Sequence, residues 1–300
     1  MATMLANMQA VCQELGLNSP SSVAGSTDKQ LIQLLALMNR VGDDLLHEYE
    51  WNKLSTIYRF YTQFTTLTGT LTEGSAVVTG ISSTTGLGTS YAVSGTGIPN
   101  DAVIASVDSA TQVTLNLEAT ETGAQSLTFS KVGYAFPSDY DRLISRTDWN
   151  KTNFWEIIGP ETPQQWEWLK SGLIASGPRT RFRILGGLFE IWPPPTDELV
   201  LGFEYVSSYW ARTTLGVAKA AFTVDTDTSV YRDNLLVLGT KLKFYEIKGF
   251  DTTTLALNFN RQLQLAKEQD KDGPTLSMAP RLSEVLLGYD NIPDSGYGDV

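Results

Sequence analysis

Between Arg59 and Lys131 the sequence contains no lysine and no arginine, while Thr, Ser, Gly and Val crowd in. Short stretches with a period of two recur there: AVVTGIS, YAVSGTGI, DAVIASVD, QVTLNLEA and SLTFSKV. Gly or Ser/Asn/Asp turns separate them at the spacing of a small antiparallel β structure. The pattern predicts an all-β module at 66–130, with DAVIASVDSATQVTLNLEA as its clearest hairpin. The flanks TQFTTLTG and KVGYAFP also read as strands, so the module is expected to be inserted into a hairpin of a host domain, 1–65 plus 131–272.

The host segments carry helical periodicity. Leu5, Met8, Val11, Cys12 and Leu15 make one stripe over 3–16. Thr27 and Gln30 read as a capping box that opens a long helix, whose stripe Leu31, Leu34, Leu35, Met38, Val41, Leu45 and Tyr49 lasts to about Leu54. STIYRFYTQF then alternates as a strand. Pro137 and Asp139 mark a turn, and Thr162-Pro163 opens a short helix at about 162–171. In RFRILGGLFEIWPPP, a Gly186-Gly187 turn of primed type joins strands 181–185 and 188–192. Pro193, Pro194 and Pro195 stop the second strand, whose Trp192 closes it, and lead to ELVLGFEYVSSYW as the third strand of a meander. Helices at about 230–248 and 251–271, joined by a short link at Gly249, are expected to lie antiparallel. The expected class is α+β: a helical bundle (the long N-terminal helix plus the C-terminal pair) with a small antiparallel sheet, the inserted β module and an extended C-terminal arm at 273–300.

Composition narrows function more than it names it. The net charge of −11 and pI near 4.6 oppose tight wrapping of nucleic acid, since phosphate contacts are built from Lys and Arg. Apolar runs stop short of the ~20 residues of a membrane helix, and the opening MATMLANMQAVCQELG lacks a basic signal-peptide n-region. Cys12 is the single cysteine, so no internal disulfide forms, and folding in a reducing cytoplasm is expected.

Candidate chemistry is sparse. His47, the one histidine, falls on the polar side of the long helix and reads as a surface or interface residue rather than a base. Cys12 sits in an apolar stripe and reads as a small hydrophobe. Asp225, Asp227 and Asp233 approach a calcium loop, but their spacing better fits a turn into a helix cap. Trp149, Trp155, Trp166 and Trp168 are able to stack on sugars, and more commonly serve as core or interface anchors. No catalytic, cofactor-binding or metal-binding residue is expected.

Taken in order, HEYEWNKL, DRLISRTDWN, PETPQQWEWL and FRILGGLFEIWPPPTDELVLGFEYVSSYW resemble the head-to-tail adaptor (connector) proteins of short-tailed bacteriophages, of the tail-tubular-A type. The likeness covers about 1–65 and 131–272, and the 66–130 module departs from the minimal family pattern. The resemblance implies a non-enzymatic virion protein in the neck between capsid and tail, assembled in the host cytoplasm. It implies a ring, usually of twelve copies, between portal protein and tail nozzle protein, which seals the channel after packaging. Genomic DNA passes through without sequence-specific binding during ejection. Twelve copies at −11 each carry on the order of −130 charges, a bore that sheds DNA. Leu276, Met278, Pro280, Leu282, Val285, Leu286, Leu287 and Tyr289 are the expected portal-docking arm. Leu235, Leu238, Leu242, Tyr245, Leu255, Phe259 and Leu263 are the expected subunit-packing set, and Gly186, Gly187, Trp192 and Pro193 to Pro195 the scaffold hairpin. The alternative reading is a carbohydrate-binding or cell-surface adhesin that uses the 66–130 module.

Overall fold

The periodic segments are helices and the alternating ones strands in the computed structural model, which describes residues 1–171 and 179–270. Two helices come first, α1 (Met4–Glu14) and α2 (Lys29–Glu48), followed by one 3-10 turn at Asn52–Leu54. Then come β1 (Ser55–Tyr61), β2 (Phe64–Leu71), β3 (Val77–Val78), β4 (Tyr91–Ser94), β5 (Ile104–Ser109), β6 (Gln112–Leu115) and β7 (Gly123–Lys131). The chain continues through β8 (Gly133–Ala135), β9 (Tyr140–Leu143), β10 (Trp149–Asn150), β11 (Trp155–Glu156) and α3 (Pro163–Lys170). It ends with β12 (Arg181–Leu185), β13 (Leu188–Trp192), β14 (Val200–Ser207), β15 (Ala211–Arg212), β16 (Ala218–Lys219), β17 (Thr228–Ser229), α4 (Asp233–Lys248) and α5 (Thr253–Asp270).

The class is mixed α+β, with strand (30%) slightly outweighing helix (29%), and among the described residues the expected helical bundle is absent. α4 packs against α1, α2 and α5, but these helices do not close a core by themselves. Trp51, Val206, Trp210, Phe222, Val230 and Tyr231, all from non-helical chain or strand ends, complete it. The packing is tight at two glycines. A Cβ on Gly42 of α2 would stand 2.2 Å from the Trp210 indole, and one on Gly239 of α4 would stand 2.6 Å from Val41. Trp210 is fully buried, donates its Nε1–H to Asp43 Oδ1 at 2.8 Å and stacks on Tyr231.

Helix ends also differ from expectation. Asp28, not Thr27, caps α2, its Oδ1 accepting from Gln30 N at 2.9 Å. α2 stops at Glu48 because Tyr49 is extended and the Trp51 indole, buried, donates to Leu45 O at 2.7 Å. The α3 start is as read: the Thr162 hydroxyl accepts from Gln165 N, and the Gln165 amide oxygen accepts from Thr162 N.

β12 and β13 form the expected hairpin, Leu185 opposite Leu188, with Gly186 and Gly187 at φ 58° and 76°, a left-handed pair only glycine adopts freely. The three-strand meander is a correction. The three prolines carry no N–H and turn the chain out of the sheet, so the other neighbour of β13 is β8, and β14 joins a second sheet between β1, β9 and β10. An aromatic layer glues the two sheets: Phe189 stacks on Phe182 at 4.6 Å and on Phe203 of β14 at 5.1 Å.

β2 to β7 make two three-stranded sheets, β2-β7-β4 and β3-β6-β5, around buried residues such as Leu71, Ile81, Val93, Val113, Leu127 and Phe129. The expected host hairpin around this module does not exist, since β1 pairs with β14 and β8 with β13. The module's own outer strands meet instead, Phe64 opposite Ser130, and Lys131 N donates to Gln63 O at 2.8 Å. Burial pushes the Tyr134 phenol up to about 12, so it stays protonated, donating to Lys131 O and accepting from Gln63 N. The Ser130 hydroxyl bonds the carbonyl of Pro195, and Lys170 of α3 pairs with Asp101.

Gly42→Ala forces the new methyl into the Trp210 indole. The expected outcome is a loss of about 1–3 kcal/mol or more, read as a lower urea midpoint at an unchanged slope; a wild-type midpoint would overturn the packing described.

Candidate interaction surfaces

The chemistry-bearing residues stand apart. His47 is exposed, its Nδ1 2.8 Å from Asp43 O and its Nε2 3.9 Å from Asp141. Cys12 is buried among apolar side chains, which raises its thiol pKa, with Asp28 adding to the effect. The Asp225 carboxylate accepts from Val23 N, Ala24 N and Ser22 Oγ. Asp227 holds Thr223 N, Val224 N and Lys219, and Asp233 accepts from Ala2 N. The three acids therefore staple separate loops. Among the described residues no three His, Cys, Asp or Glu side chains cluster as metal ligands, and no helix is long and apolar enough to cross a membrane.

Of the expected subunit-packing residues, Leu235 and Leu263 are sealed in the chain's own core, so the helices use them inwardly. Leu238, Leu242, Tyr245, Leu255 and Phe259 are half-buried. The exposed apolar residues here are Ile247, Phe250, Leu257 and Leu265, of which the helical stripe marks Leu257 alone as wanting a partner. Trp192 of the scaffold hairpin packs with Trp166 and Leu169 of α3, under Lys170. The expected arm residues Leu276, Met278, Pro280, Leu282, Val285, Leu286, Leu287 and Tyr289 lie outside the described residues.

Two surface features are built with care. The first is a cleft of about 170 Å³ where α2, α4 and α5 meet. Its floor is Val41, Leu45, Gly239, Leu242, Phe259 and Leu263, and its rim carries Asp44, Glu48, Lys243 and Asn260. Lys243 pairs with Asp44 at 3.2 Å, and Lys267 with Glu48 at 2.9 Å. Gly239 opens the cleft, because any larger residue there would strike Val41 and Phe259.

The second is the β10–β11 hairpin. Asn150, 2% exposed, accepts the N–H groups of Thr152 and Asn153, both at 3.1 Å, which fixes the turn. The turn leaves Phe154 77% exposed at φ 56°, a left-handed conformation that bulky side chains avoid. Trp149 and Trp155 flank it, each more than a third exposed. Sequence reasoning treated these tryptophans singly; the signal was the near-mirror order WN-KTN-FW, two aromatic ends around an Asn-rich turn.

A scan against protein-family models finds no match to this chain, and a search of curated proteins finds none either.

Asp148, at the foot of that hairpin, is 6% exposed, and its Oδ1 has no hydrogen-bond partner among the described residues. Burial pushes its pKa up to about 7. An acid whose folded pKa is raised holds its proton longer when folded, so unfolding releases a proton between pH ~4 and ~7. Stability is therefore lost as pH rises through that window, by on the order of 4 kcal/mol for the full shift. Asp148→Asn is expected to be more stable than wild type above pH 7 and to show no advantage near pH 4, by chemical denaturation at both; an equal difference at both pH values would refute the burial argument.

Proposed function

We propose that this chain is a structural protein of a phage neck, forming a ring between portal and tail nozzle and passing DNA at ejection. The observation that carries the reading is how the host core uses its surface. An α+β body, closed by an aromatic layer, leaves large apolar side chains in water: Ile247 in the last turn of α4, Phe250 in the α4–α5 link, Leu257 on α5 and Phe154 in the β10–β11 turn. Single exposed apolar residues are ordinary, but several along α4, α5 and their link, whose helices line an apolar cleft, are suited to polypeptide contact.

The order of segments that resembles head-to-tail adaptors supplies the setting. The −11 charge suits a wall past which DNA slides, because like charge prevents sticking. Residues 273–300, with their apolar cluster at 282–289, supply the portal contact in this reading.

Purified chain is expected to co-sediment with portal rings, and a chain truncated after Asp270 is expected to stay folded by circular dichroism while losing at least about tenfold in affinity, the scale of a hot-spot loss. Equal co-sedimentation of the truncated chain would remove the segment's role. Electron micrographs of particles whose necks lack this chain would remove the function itself.

A further inference from the structure

The β10–β11 hairpin presents an aromatic knob, and the α2/α4/α5 cleft is an apolar hole without a filling side chain among the described residues. We propose that Phe154 of one copy inserts into this cleft of the next copy, making the head-to-tail contact between subunits. This rests on the ring reading for its setting and names the surfaces that would close the ring.

Size is the first argument. An apolar protein cavity of about 150 Å³ accommodates a benzene molecule, and the cleft offers about 170 Å³ with a floor of aliphatic and aromatic carbon. A phenyl ring fits there, whereas an indole flanked by its own strand does not enter as readily. Trp149 and Trp155 are then left to cover the rim, as near-neutral contacts around an anchor do.

Backbone geometry is the second. Phe154 is held at φ 56°, a left-handed conformation that bulky side chains avoid, and the buried Asn150 side chain enforces the turn through two N–H groups. That geometry leaves Phe154 almost fully in water within one chain, where it stabilises nothing. A partner groove gives the conformation a use.

Charge is the third. Asp44 and Glu48 line the cleft against Lys243, a surplus of one acid. The knob carries Lys151 in its turn, whose side chain lies near Gly202 and Arg59, and Glu156 on β11, which Arg179 pairs at 3.1 Å. A basic-flanked knob meeting an acidic rim favours a second copy over the chain's own segment beyond Arg281, which holds acids and no base. Because knob and hole are different patches, the contact is heterologous and repeats around a ring.

The test is a full-length double variant that keeps the Phe154 ring, Asn153→Cys with Asn260→Cys, oxidised at protein concentrations up to about 1 mM. Cys12 is buried and stays silent. A ladder of disulfide-linked oligomers absent from both single variants is expected, and Phe154→Ser, folded by circular dichroism, is expected to self-associate at least about tenfold more weakly by sedimentation. Absence of the 153–260 link overturns the proposal, as does unchanged self-association of Phe154→Ser. A link that forms only after truncation at Asp270 also overturns it, by making the chain's own end the occupant. None of these outcomes touches the neck assignment, which stands or falls on finding the chain in the particle's neck.

Discussion

The host domain turns on the approach of the Trp210 indole to Gly42. α2 has a hydrogen in place of a side chain where the ring crosses it, which allows 0% exposure of a tryptophan and a direct bond from its N–H to Asp43 on the same helix. Burying an indole is favourable by area, but an unmet N–H would return much of that gain. The Asp43 bond removes the difficulty. Trp210 then carries Phe222 and Tyr231 with it, so the segment from β15 to the start of α4 is anchored to the N-terminal helices by one aromatic column.

That column explains why helices alone do not make the core. α2 and α4 touch closely at Gly239, and α5 closes on them incompletely, leaving the cleft. An apolar recess with a paired-charge rim is inexpensive to keep in water while empty, and ready when a complementary side chain arrives. The aromatic knob on the far sheet has the matching property of a conformation whose strain has no return inside one chain. Assembly chemistry of this kind lives in surface shape rather than in titrating groups.

The β module is held by more than its covalent ends. Its outer strands pair with each other, Tyr134 bridges the two crossings, and Ser130 and Asp101 reach the proline exit and α3. The WPPP segment thus stiffens the hairpin exit and supplies a carbonyl that seats the module.

The sequence by itself determined local structure wherever the cause was local. Gly186-Gly187 specifies its turn, Thr162 and Gln165 specify a helix start, the stripe Leu34, Met38, Val41, Leu45 specifies a buried face, and the DAVIAS…QVTLNL alternation specifies β5 and β6. The candidate surfaces were less legible. Apolar spacing marked Leu235 and Leu263 as outward-packing residues although they face inward, because periodicity finds a face without saying which neighbour covers it. Only the tertiary structure decided that β14 leaves the hairpin to pair with β1, that the helices share their core with Trp210 and Tyr231, and that Phe154 stands clear. Each of these depends on contacts between residues far apart in the chain, whose free energy is set by three-dimensional closure and not by any pattern along the sequence.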